Sequence, residues 1–171
     1  MKTTISKMSK QSMVTLMLIS VFALSLLGSC RKGNHYPNHP SKHSSEVLEK
    51  WMDLQLRLMR NTTGVPNHGF SRHYAYSGVA AVVSLAPGLK NMHGKWNGLT
   101  GLPQSKHWKA YYLPANVNAA MASINRSFFP NSNAADKAAI DSLEAALNQK
   151  FLTAQSQSII TTSSIFGKAV A

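Results

Sequence analysis

The sequence predicts an all-α protein, a helical bundle that forms part of a larger helical domain. Two observations carry this class. Apolar residues recur at intervals of three and four in successive segments, and each segment is closed by Pro, Gly or a capping side chain. No stretch alternates polar and apolar residues as a half-buried strand does.

The chain opens with Lys2, Lys7 and Lys10, followed by an apolar run from Val14 to Leu27 and then Gly28-Ser29-Cys30. A basic start, a short apolar run and small residues before a cysteine form a bacterial lipoprotein signal. The run is 14 residues long, short of the ~20 that a membrane-spanning helix needs. Gly28 and Ser29 admit a peptidase, and the Cys30 thiol takes the lipid. Residues 1–29 are therefore expected to be removed, leaving Cys30 to anchor the chain to membrane lipid in the bacterial cell envelope, facing the periplasm or the exterior. Cys30 is the only cysteine, so no disulfide is available and the fold must rest on packing.

Without the three leader lysines, fifteen basic residues face six acidic ones, a net charge of +9. The basic residues are scattered from Arg31 to Lys168 with no run of three, which argues against nucleic acid as a partner and for a basic surface near anionic headgroups or an anionic substrate.

Residues 30–44 read as a flexible linker, since they hold Gly33, Pro37 and Pro40 among polar residues. His35, His39 and His43 recur every four residues, a spacing that on a helix would align three imidazoles for a metal, but Pro37 and Pro40 prevent that helix. Residues 45–171 form the helical region. A first helix is expected at 45–61, with Val47, Leu48, Trp51, Leu54 and Leu58 on one face, Ser45 as cap, acids early and Arg57 and Arg60 late. Gly64-Val65-Pro66 stops it. A second runs from Phe70 to Leu85, ended by Pro87-Gly88. Residues 88–113 read as a long irregular stretch that packs on something. The third helix spans 115–129 with Val117, Ala120, Met121, Ile124 and Phe128 aligned. Asn133 caps the fourth, whose stripe is Ala135, Ala139, Leu143, Ala146, Leu147 and Phe151. Another helix starts near Ser163 or Ser164, with Ile165, Phe166 and Val170 spaced for burial. A chain that stops inside this pattern is expected to be a fragment or a truncated product.

Catalytic motifs are sparse. Gly94-Lys95 lacks the rest of a phosphate loop, no Ser sits on a Gly-x-Ser-x-Gly elbow, and Cys30 is committed to lipid. His68 and His73 remain as acid–base candidates, although a His that satisfies a backbone carbonyl is commoner. The six acids fall in the first and fourth helices, at spacings that place them on solvent edges. Asn61-Thr62-Thr63 and Asn125-Arg126-Ser127 match a glycosylation pattern that a bacterial lipoprotein does not meet.

Five stretches carry a resemblance: Trp51-Met52-Asp53-Leu54-Gln55-Leu56, Ser71-Arg72-His73-Tyr74-Ala75-Tyr76-Ser77-Gly78, Trp96-Asn97-Gly98-Leu99, Pro114-Ala115-Asn116-Val117-Asn118-Ala119-Ala120 and Phe166-Gly167-Lys168-Ala169-Val170. Together they resemble the amino-terminal half of the bacterial vanadium-dependent haloperoxidases, within the superfamily shared with type 2 phosphatidic acid phosphatases. The resemblance implies a helical bundle that buttresses the catalytic helices. It also implies vanadate, or phosphate in the phosphatases, held by Lys, Arg and His from three blocks: Lys with Arg-Pro seven residues on, Pro-Ser-Gly-His, and Ser-Arg with His six beyond. None is intact here. Lys50 and Arg57 have the first separation but Leu58 replaces Pro, Ser77-Gly78 precedes Val79, and Gly78 stands where the His after Ser71-Arg72 belongs. No catalytic residue and no cofactor is therefore assigned to this chain, and the missing catalytic helices or a homodimer mate are the expected protein partners. The competing expectation is a non-catalytic helical surface lipoprotein that binds a ligand on an aromatic platform of Trp96, Trp108, Tyr111 and Tyr112, unless these cover the loop's own core.

Overall fold

A computed structural model describes residues 39–89, 100–106 and 109–171. Among them are five α-helices and no strand: α1 (Glu46–Asn61), α2 (Asn67–Ser84), α3 (Leu113–Phe128), α4 (Ala134–Phe151) and α5 (Gln157–Val170). Single 3-10 turns lie at Pro40–Lys42 and Ala86–Gly88. The all-α class is as the periodicity predicts.

Local chemistry sets the helix ends. Ser45 does not cap α1: its hydroxyl donates to the Glu49 carboxylate, and Ser44 Oγ instead accepts from the Glu46 N–H at 3.1 Å. The chain leaves α1 through Gly64, whose φ of +81° suits glycine. α2 begins at Asn67, three residues before the expected start, because extended Pro66 hands its carbonyl to the Gly69 N–H at 2.7 Å. α3 also starts early, with Pro114 in its first turn, where a missing N–H costs nothing. At α4, Asn133 Oδ1 accepts from the Asp136 N–H at 2.8 Å, as a cap should.

Two expected stripes are displaced. On α4 the inward face carries Asp136, Ile140, Leu147 and Phe151, while Ala135 and Ala146 are exposed. α5 begins at Gln157 rather than near Ser163, since Ile160 and Ser163 both face inward and supply the extra turn. Ile165 is 65% exposed, and Phe166 and Gly167 take the buried positions.

The core forms around α3, in which every residue from Leu113 to Ala122 is buried. A helix covered on all sides needs neighbours on all sides, and α1, α2, α4 and α5 each pack against it. Ala115, Ala119, Ala120 and Ala122 keep its surface low enough for close approach. At Gly167 of α5 a Cβ would sit 2.2 Å from the Asn116 carbonyl oxygen and 2.9 Å from Ala119 Cβ, so only glycine fits there. Trp51, Leu58, Met121, Phe129 and Ile140 fill the spaces between helices, each worth about 1.5–3 kcal/mol on burial. Contacts of Ser84 with Asn116 and of His73 with Phe128 make α2 antiparallel to α3. Glu46 with Lys150 and Arg57 with Asp136 make α1 antiparallel to α4.

Candidate functional site

Amides cross the core where helices meet. Trp51 Nε1 donates to Asn118 Oδ1 at 2.8 Å, and Asn118 Nδ2 donates to Asn148 Oδ1 and to the Glu144 carbonyl, both at 3.1 Å. This links α1 through α3 to α4. Gln55 Nε2 donates to Ser77 Oγ at 2.8 Å, and Asn116 Nδ2 to the Ser84 carbonyl at 2.9 Å. Each of these groups fixes a helix pair, and none is a general acid or base.

The acids do not all lie at solvent edges. Asp136 is fully buried, and three neighbours neutralise or satisfy it: Arg57 at 2.8 Å, Asn61 Nδ2 at 3.0 Å and Asn133 Nδ2 at 2.9 Å. Arg57 brings its charge from a half-exposed position, which is how a lone carboxylate is tolerated in the core. Asp141 and Glu144 both bind Arg126. Partial burial opposes the Arg126 charge, but the hydrogen bonds to both carboxylates prevail and raise its pKa.

The two histidine candidates separate. His68 is exposed. His73 stacks on Phe128 at 4.5 Å and meets Phe129 edge-on at 5.0 Å, with its Nδ1 buried and unbonded. Burial lowers its pKa. Among the described residues no carboxylate or nucleophile completes a catalytic pair with it.

A cleft of about 270 Å³ opens at the end of the bundle where α1 and α3 begin and α4 finishes. Lys42, His43, Glu46, Tyr112, Lys150 and Phe151 line it. His43 was expected in a solvated linker, yet its ring packs edge-on to Tyr112 at 5.4 Å, its Nε2 is buried without a partner, and burial lowers its pKa. Lys150 and Lys50 both bind Glu46, at 2.6 and 2.9 Å. Hydrogen bonds from Lys150 and then Lys50, with their charges, pull the Glu46 carboxyl down to about 2. Sequence reading missed this cleft because Lys150 lies 107 positions beyond the adjacent pair Lys42 and His43; the signal in reach was a histidine beside a lysine just ahead of a helix start.

Of the aromatic platform, Tyr111 packs on Phe166 at 5.3 Å and its hydroxyl accepts from the Lys106 N–H, while Tyr112 packs between His43 and Phe151. The two rings thus sit on different helices' side chains. Trp96, Trp108, His35 and the lipidation candidate Cys30 lie outside the described residues. His39 Nδ1 accepts from the Ser41 N–H and shares no metal-ligating cluster with His43 among the described residues. No described helix is long and apolar enough to cross a membrane.

No family model, curated protein or solved structure matches this chain.

Proposed function

We propose that the chain is the lipid-anchored, amino-terminal helical region of a vanadium haloperoxidase-like or acid phosphatase-like protein, without catalytic activity of its own. One observation supports the reading most directly: residues from separate stretches of the resemblance meet in the core. Trp51 bonds Asn118, Gly167 presses on Asn116 and Ala119, and Gln55 bonds Ser77. On this reading the stretches pack together as the buttress of a larger helical assembly.

The described residues do not fit the family's vanadate or phosphate centre. Lys50 is paired with Glu46, Arg57 with buried Asp136, and a Gly78 Cβ would meet open space where the family's pattern puts a histidine. No catalytic step is therefore derived through such a group. Purified mature chain supplied with vanadate, peroxide and bromide is expected to turn over no faster than a vanadate-free control; faster turnover overturns the proposal. Reading the DNA beyond codon 171 tests the other half, with Pro-Ser-Gly-His and Arg-Pro blocks expected in an adjoining frame.

The basic cleft beside Tyr112 favours a second reading, a non-catalytic surface lipoprotein that binds a ligand at that end of the bundle.

A further inference from the structure

We propose that the cleft between the starts of α1 and α3 and the end of α4 binds a phosphate group, held by Lys42, His43 and Lys150 against the wall formed by Tyr112. Charge carries the first part of the argument. Lys42 is exposed and makes no ion pair among the described residues, and Lys50 and Lys150 share a single carboxylate, Glu46. The ammonium groups of Lys42 and Lys150 thus line the cleft with one acid, Glu46, which Lys50 also pairs from outside the lining, and the surplus favours an anion. Lys150 remains on the rim with most of its surface open, so a second anion can share it.

Hydrogen bonding carries the second part. His43 Nε2 is buried in the cleft wall with no partner, and a buried polar atom left unpaired costs about 1–3 kcal/mol. A phosphate oxygen that accepts from Nε2–H removes that deficit. The charged and titratable groups facing His43 are Lys42 on the 3-10 turn, Glu46 on α1, Tyr112 ahead of α3 and Lys150 on α4. With Glu46 already held by two lysines, the balance around the imidazole is positive. Tyr112 and Phe151 supply an apolar wall suited to the carbon part of a phosphoester.

The phosphate can arrive free in solution or on a lipid headgroup. Eight residues separate Cys30 from His39, a span that reaches at most about 30 Å when extended. The headgroup source rests on the proposed anchoring at Cys30, since only a lipidated Cys30 holds the cleft that close to a bilayer. The free-phosphate source does not.

The test uses the full chain in neutral maltoside micelles, with the His43 ring signals followed by NMR. Inorganic phosphate is titrated in one arm and phosphatidylglycerol is doped into the micelles in the other, with chloride at equal ionic strength as control. A saturable His43 shift with both probes supports the site with a headgroup as ligand. A shift with inorganic phosphate alone supports it with a soluble ligand. The exposed Lys42→Gln variant is expected to bind about fivefold more weakly, the worth of one partly exposed charge pair, whereas Arg72→Gln on α2 binds unchanged. No saturable shift with either probe, or equal binding by wild type and Lys42→Gln, overturns the proposal. The mass of the mature chain checks the anchor separately: a chain that keeps residues 1–29 removes the lipid reading and leaves the phosphate result standing.

Discussion

The indole N–H of Trp51 and the side-chain oxygen of Asn118 are 2.8 Å apart, 67 positions distant in sequence and fully buried. The bond orients α1 on the central helix, and Asn118 passes the connection on to α4 through Asn148. Replacing Asn118 with Ala removes these bonds and strands the indole donor in the core. The expected cost is about 2–4 kcal/mol, read as a lower urea midpoint with an unchanged m-value. A shift below about 0.5 kcal/mol would mean that the bond is not structural.

Gly167→Ala places a methyl where the Asn116 carbonyl already stands. Backbone has little room to yield, so α5 must shift on α3, at about 1–3 kcal/mol or more. Thermal unfolding followed by circular dichroism checks this. Gly78→Ala on α2, where nothing lies within 4 Å, is the matched control and is expected to stabilise by a few tenths of a kcal/mol up to about 1.

Arg57→Ala leaves the buried Asp136 carboxylate with only amide partners, and a loss of about 2–3 kcal/mol is expected, below the full penalty for a buried pair because Arg57 is half-exposed. Adding Asp136→Asn to that variant removes the stranded charge. The double variant is therefore expected to regain part of the loss, and a chemical-denaturation double-mutant cycle measures the coupling. Additive losses would sink this account.

Stability is expected to fall in two acid steps. His43 and His73 are buried toward the neutral form, so their folded pKa lies below the unfolded value near 6.5. Their contribution is complete above that value and declines as pH drops below it, because the unfolded chain takes up protons the native state resists. Glu46, held at about 2, contributes above the unfolded carboxyl value and loses this between about pH 4.5 and 2. Denaturation midpoints at pH 7.5, 5.5 and 3.5 check both steps, and His73→Phe is expected to flatten the first.

What could be read from the letters follows from where apolar side chains do the packing. α1 was legible because Val47, Trp51, Leu54 and Leu58 all point inward. α5 was legible only in its second half, since its first inward turn includes Ser163, which satisfies itself locally by donating to the Ile159 carbonyl while accepting from the Tyr112 N–H. Asp136 hid for the same reason: its burial depends on Arg57, 79 positions earlier, and no local pattern announces that pairing. The cleft assembles from three chain segments, and pattern along one segment cannot show it.

The enclosure of α3 has a consequence for biogenesis. Its closest partner is α5, which locks on through Gly167. A chain emerging from the ribosome amino-terminus first therefore keeps its most enclosed helix only part-covered until nearly all of the described sequence has been made. Vectorial folding from the first helix onward cannot finish this core before α5 has emerged.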